Sequence, residues 1–550
     1  MKHKHRNQPT RHRRGIVLIV ILVLVVMLSL AGFTFMTRMA TEYEATLVGG
    51  NLRQARQTLA SAESLLLVLA EEHAGQPEPW NPLQHDARLF ASRTVDPAPA
   101  GGSSEYLDTG STGGRLSWRF SILKGLEEFG RDRTDTESVR AGGLQFGLVN
   151  ESAKLHLGLV MGWEMERPGS GRNALLRIPG MTADAADGIL DWIDDDAEVR
   201  EFGAEADYYK ELDSSYEPRN GLPETLDELL FVRGVTRDMF YGVAEPQQDG
   251  DVAGGPWENL LTVASAEPNA DRFGVDRIDL NDIYPSEYVD VTGETQNELS
   301  FLPEDVVKYI LLARLYGIRL PLTFGEQRPL DEEPIPAEDP AAFIELSEVQ
   351  LPDDESLDLE EIQSVADLIG SVVQLPITEA DELQEQSGKW VHSPLQIDSP
   401  QFQENMNLLQ ERVTIDRNER VYGRVNINLA SEPVLRALLG DAGLAAQVAE
   451  QRSILADWQR ESTAWLVIQK AVDLQTYRRL YSQITTRGAV HSAEIVVYRK
   501  IGGPFIRRQL TIDASVTPAV KVHWKDLTPQ GLPVSLSALR STDSEQSVEF

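Results

Sequence analysis

Asp191, Asp194, Asp195, Asp196, Glu198, Glu205 and Asp207 crowd seven carboxylates into one short stretch, LDWIDDDAEVREFGAEADYYKEL. Anionic oxygens gathered at a helix end and in the loop behind it suit a hard cation, and Ca²⁺ takes about six to eight such ligands. No EF-hand spacing accompanies them. The same run also reads as a solvated acidic surface with one Asp capping a helix, and composition leaves both readings open.

Other chemistries find less support. Three of the nine His precede residue 13, and His73, His85, His156, His392, His491 and His523 are scattered without paired metal-ligand spacing. There is no phosphate loop and no nucleophile elbow, and the absence of Cys removes thiolate ligands, thiol nucleophiles and disulfides. Two carboxylates could still pair as in a glycosidase, but 86 acidic residues give no basis for choosing them. A non-enzymatic role is expected. The formal charge of −35 opposes polyanionic partners. Ile178, Pro179, Gly180 and Met181 form a turn like that of a helix-hairpin-helix, whose amides can meet a phosphate. Asp184, Asp187 and Asp191 follow it, so no nucleic acid is expected there.

The N-terminus sets the location. Lys2, Lys4, Arg6, Arg11, Arg13 and Arg14 stand before an uncharged run from Ile16 to Met36. As a helix that run crosses the roughly 30 Å apolar core of a bilayer. Retained positive charge marks the cytoplasmic side, which predicts a single pass in the inner membrane with the bulk of the chain periplasmic. A plain signal anchor accounts for these features. The junction RRG-IVLIV resembles, more sharply, the cleavage site of type IV prepilins and pseudopilins. That resemblance implies a prepilin peptidase cutting after Gly15 and a mature, methylated N-terminus at Ile16. Val20 stands where most such subunits carry Glu at the fifth mature position, a departure the resemblance associates with a subunit at the tip of the fibre.

Behind the span, Met39, Tyr43, Leu47, Leu52, Ala55, Leu59, Ala62, Leu66 and Leu69 recur at helical spacing, predicting one long rod softened at Gly49 and Gly50. Arg115 to Ile122 alternates as a half-buried strand, residues 143–157 read as a strand, a turn and a return strand, and 490–501 and 504–516 alternate again. Between them the pattern is helical over 172–243, 303–317, 360–386, 401–412 and 431–483, with Ser431 as an N-cap and Pro433 in the first turn.

LDWIDDD, its acidic loop, the Tyr208-Tyr209 pair and YEPRNGLPETLDELLFVRGVTRDMFYG together resemble general secretion pathway protein K, the minor pseudopilin of type II secretion. GLVNESAKLHL before this region and VNINLASEPVLRALL after it resemble the same family, while residues 244–420 depart from it. The resemblance implies a structural tip subunit that supports pseudopilus assembly and protein export. Its implied partners are other minor pseudopilins, the major pseudopilin, the prepilin peptidase, and exoproteins or the outer-membrane channel. It also implies calcium in the helical domain. A signal-anchored periplasmic binding module, or a minor pilin of a competence or type IV system, are the alternatives.

The expected fold is α+β, a pilin-like helix on an antiparallel sheet with a large, mostly helical, helix-hairpin-helix (SAM-like) insertion. The divisions are a leader at 1–15, a transmembrane part at 16–36 and a periplasmic helix at 37–74. The first part of the sheet follows at 75–170, then the insertion at 171–420 with an acidic linker at 325–361. The return to the sheet is 421–516, with helices at 431–483, and 517–550 is a tail.

Overall fold

The computed structural model describes residues 14–78, 80–84, 87–95, 118–124, 145–242, 256–284, 298–321, 335–336, 342–349, 351, 358–376, 389–499, 503–532, 534 and 539. The leader up to residue 13, most of the acidic linker and residues 377–388 lie outside them.

Helix α1 (Arg14–Glu72) is 59 residues long, about 90 Å at the α-helical rise. It runs unbroken through Gly49 and Gly50, since its neighbours supply enough hydrogen-bonded turns to absorb two weak helix formers. The apolar stripe predicted along it divides in two. Met39, Tyr43, Leu47 and Leu52 are exposed, whereas Ala55, Leu59, Ala62 and Leu66 are buried. The buried half lies on one face of a six-stranded sheet.

The sheet consists of β1 (Arg93–Thr94), β2 (Trp118–Leu123), β3 (Val149–Asn150), β4 (Val490–Arg499), β5 (Ile506–Asp513) and β6 (Val520–Asp526). Its order is β1-β2-β4-β5-β6, with β3 also on β4, and every pairing is antiparallel. Ile122 stands opposite Ile495 and Phe120 opposite Val497, so alternate residues of β2 and β4 close the core under α1. Leu510, Ile512 and Ala514 are buried, as their alternation predicts.

Three expectations need correction. The return strand of residues 143–157 does not fold back on β3; Leu155–His156 pairs in parallel with Leu261–Thr262. Asn150 accepts from the Ser152 amide at 2.9 Å and caps a 3₁₀ turn that redirects the chain out of the sheet. Residues 360–376 hold a 3₁₀ turn, Val365–Leu368, and a strand, Val372–Gln374, paired with Trp390–His392. The β-branched pair Val372-Val373 prefers that pleated, buried setting to a helix. The presumed tail contains β6, whose alternation is hard to read because its apolar residues remain exposed.

The boundaries of the insertion also move. Among the described residues, the larger apolar core runs from Leu155 to Ile484, a second joins residues 55–148 to 489–539, and Ala342, Val372 and Trp390 form a small third cluster. Helices α2 (Leu157–Glu166), α3 (Ser170–Leu175), α4 (Ala183–Ile193), α5 (Ala206–Lys210), α6 (Glu304–Tyr316), α7 (Phe402–Arg412), α8 (Glu432–Leu439), α9 (Ala442–Ile454) and α10 (Leu474–Tyr481) fall within the span of the first core. The helices of 431–483 therefore belong to the insertion, because Val434, Leu435, Tyr477 and Leu480 bury into its core. Ser431 occupies the N-cap of α8 with Pro433 in the first turn, but its hydroxyl makes no capping bond.

Buried polar groups close the seam between the units. The Glu151 carboxylate accepts from Ser492 Oγ at 2.5 Å, Thr262 Oγ1 at 2.6 Å and Lys154 Nζ at 2.9 Å. Burial alone would raise its pKa, but the Lys154 charge and the hydroxyl donors prevail and hold it below the ordinary value. Arg420 reaches from the insertion to Asp513 and Ser515 of the sheet domain.

Candidate functional site

The carboxylates are positioned by α4 and the loop behind it. Thr182 Oγ1 accepts from the Ala185 amide at 3.2 Å and starts the helix. Ala185, Ala186, Ile189, Leu190 and Trp192 bury its apolar face. One turn apart, Asp187 and Asp191 lie on a common face, and both are buried. Asp187 pairs with Arg172 at 2.5 Å and accepts from the Phe202 amide at 3.2 Å. The helix-hairpin-helix turn before α4 is put to structural use, with Trp257 Nε1 donating to the Pro179 carbonyl at 3.0 Å. Of the three acidic residues expected to repel a phosphate there, Asp187 and Asp191 are buried and paired with Arg172 and Arg200, and Asp184 is exposed.

Residues 195–205 fold back over the end of α4. Arg200 Nη1 donates to Asp191 at 2.6 Å and also to Asp194. Gly203 passes so close that a Cβ there would sit 1.9 Å from Asp191 Oδ2. Arg233 holds the same turn by donating to the Gly203 carbonyl at 2.6 Å. Tyr209 is fully buried, edge-on to Trp192 with ring centroids 5.2 Å apart, whereas Tyr208 is partly exposed under the Arg233 guanidinium. The tyrosine pair therefore serves as one core anchor and one surface residue.

Asp194, Asp196 and Glu205 converge, each offering one oxygen within 4.8 Å of the others. Asp191 adjoins them outside the group, and both it and Asp194 accept from Arg200. Asp195, Glu198 and Asp207 are exposed and stand outside this group, a correction to the seven-carboxylate reading. Chain reversal at 195–205 selects ligands by where the loop turns, and adjacency in sequence does not predict it. Arg200 and Gly203 were missed; their signal was a lone Arg and a lone Gly within an acidic run.

Burial, and then the neighbouring Asp191 and Asp194, push the Glu205 carboxyl up to about 7. Burial also raises Asp191 and Asp194 despite the opposing Arg200. Asp194 Oδ1 and Glu205 Oε1 are buried without a hydrogen-bond partner, an arrangement that costs free energy unless something supplies positive charge. Asp194, Asp196 and Glu205 would be the residues to hold a hard cation such as Ca²⁺, which takes oxygen ligands.

At the other end of the chain, the Gly15–Ile16 bond lies in the first turn of α1. Every apolar side chain from Ile16 to Leu28 is more than half exposed, Val20 at the fifth position from Ile16 included. Among the described residues, one helix is long and apolar enough to cross a membrane, by length and composition.

The family model described as Type II secretion system (T2SS), protein K matches residues 172–244. No curated protein matches the sequence significantly. Among solved structures, one chain of the GspK-GspI-GspJ complex from the type 2 secretion system of enterotoxigenic Escherichia coli is similar at 9% identity. The alignment covers 88% of this chain and 98% of that one, at a TM-score of 0.35, too distant a likeness to carry the fold. The family match coincides with α4, its acidic loop and the tyrosine pair, the stretch whose motifs resemble the same family in the sequence.

Proposed function

We propose that this protein is a membrane-anchored minor pseudopilin, placed at the tip of a type II secretion pseudopilus and supporting its assembly and protein export. The observation that carries the reading is the division of α1. Its N-terminal part exposes an unbroken apolar surface, and its last third forms the core of the sheet domain. Such a helix can lie in the inner membrane and later pack against the helices of neighbouring subunits without unfolding its head. The size of the insertion supports a tip position, since a core spanning residues 155–484 would obstruct close packing in a shaft. Val20 supports it too, because a subunit with nothing ahead of it needs no buried Glu at the fifth mature position. Other minor pseudopilins, the major pseudopilin and the prepilin peptidase are the proposed partners. The acidic head faces the periplasm, where exoproteins or the outer-membrane channel would meet it.

Asp194, Asp196 and Glu205 are the proposed calcium ligands, with Arg200 holding Asp191 and Asp194 in place. The ion would neutralise the buried carboxylates and fix the loop of 195–205 against α4, a structural role with no reaction attached.

Intact mass and N-terminal sequencing, with and without co-expressed prepilin peptidase, test the main reading. A peptidase-dependent start at Ile16, methylated, is the expected result. A start at Met1 under both conditions would reduce the chain to a signal-anchored periplasmic module.

A further inference from the structure

A small chamber lies inside the insertion, where Glu267, Arg277, the end of α7, Arg424 and the segment from Tyr481 to Arg487 meet. Its volume is about 40 Å³. A water needs about 10–15 Å³ of such space, so the chamber admits a few waters or one monatomic anion. In a chain of net charge −35 its lining is cationic, with Arg277, Arg424 and Arg487 around the single carboxylate of Glu267. That carboxylate is already engaged, accepting from Arg424 Nη1 at 2.9 Å and from Thr485 Oγ1 at 2.8 Å. The next one outward, Glu411, is shared between Arg272, at 3.1 Å, and Arg487, whose Nη1 donates to the Ala270 carbonyl at 3.2 Å. Arg277 lacks a carboxylate of its own. Its Nε donates to the Glu411 backbone carbonyl at 3.3 Å, and among the described residues its terminal amino groups meet no acceptor.

Burial, and then the Arg487 and Arg424 charges, push the Arg277 guanidinium down to about 10 against the pull of Glu267, and it remains charged at neutral pH. An enclosed cation without its own counter-charge costs free energy, and water in the chamber would solvate that charge without neutralising it. We propose that the chamber is a halide site, in which chloride is held by Arg277 and balanced between Arg424 and Arg487. Chloride is little larger than a water and suits the volume, whereas a tetrahedral oxyanion carries four oxygens and does not. Arg277 and Thr414 also line the wider cleft of about 1130 Å³ outside, which gives the ion a way in. Asp276, Asp279 and Asp416 around that cleft penalise a multiply charged anion more than a monovalent one. Bound there, the ion ties Arg277 to the Arg487 segment that leads into β4, and so braces the insertion where it returns to the sheet. The site stands apart from both the calcium ligands and the pseudopilin reading.

The test uses the full-length chain in detergent, with calcium supplied as its gluconate salt. Thermal denaturation is followed as chloride replaces gluconate at constant ionic strength, and the chloride nuclear magnetic resonance line is recorded with added protein and then with added bromide. Chloride at about 150 mM is expected to raise the denaturation midpoint by about 2–4 °C over gluconate. The protein is expected to broaden the chloride line until bromide displaces the ion. Arg277→Met removes the unpartnered charge and should abolish both effects. Glu267→Gln removes the one carboxylate of the lining and should tighten chloride binding by about tenfold, the opposite direction. An equal chloride response in the wild type and both variants marks a general salt effect and overturns the site. Stabilisation by formate and not by chloride overturns it in favour of a carboxylate ligand. A wild-type chain that neither broadens the line nor shifts its midpoint leaves water as the occupant and overturns it as well, a result that does not depend on either variant folding.

Discussion

At the residue scale, Glu205 makes the proposed calcium site testable by pH. Its pKa of about 7 in the fold exceeds the ordinary 4.5, so between those values the folded chain holds a proton that the unfolded chain has released. Metal-free stability should therefore fall as pH rises from 4.5 to about 7 and level off above that. Calcium requires that proton to leave, so its affinity should rise by up to about tenfold per pH unit over the same range. Titration calorimetry at several pH values checks both the slope and its plateau. Glu205→Gln removes the titrating ligand, and should abolish both the slope and the thermal stabilisation by calcium. Gly203→Ala is a steric test, since its Cβ would overlap Asp191 Oδ2. Overpacking at such a point costs about 1–3 kcal/mol, readable as a lower denaturation midpoint, and should weaken calcium binding by displacing the Asp191–Arg200 pair.

At the scale of elements, the divided helix separates two kinds of apolar residue that look identical in sequence. Leu66 is fully buried and Leu47 is 49% exposed. Leu66→Ala should destabilise the sheet domain by about 2–5 kcal/mol, the usual cost of a cavity in a core. Leu47→Ala should leave denaturant unfolding of the head within about 0.5 kcal/mol of the wild type, as expected for a surface position. If Leu47 proved equally costly, α1 would have to pack on the head along its whole length. The sheet's central strands and the helices at 304–316, 402–412 and 474–481 were legible because apolar periodicity and burial coincide in them. Strand β6 was not, because the residues that alternate in it face outward.

At the scale of the whole molecule, the seam decides whether sheet and insertion act as one body. Glu151 gathers donors from the entry turn, from the insertion and from β4 into one buried site. Glu151→Ala would leave the Lys154 ammonium buried without its partner, a loss worth about 3–5 kcal/mol when a buried pair is broken. Hydrogen exchange should then rise at Asn150, Thr262 and Ser492 while the interiors of both cores stay protected. Uniform loss of protection throughout would mean that the two cores fold as a single cooperative unit.

Local pattern alone determined the membrane-length helix, the cleavage-like junction, the alternating strands and the acidic loop, because hydrophobic period and charge are properties of neighbours in the chain. The family resemblance was legible on the same terms, in contiguous motifs between residues 172 and 244. Tertiary structure decided the rest: that three of seven carboxylates converge, that Arg200 restrains two of them, and that the insertion extends from 155 to 484. Each of these depends on how far a loop turns back or on which core a helix face finds. Such contacts join residues tens to hundreds of positions apart, where no local period records them.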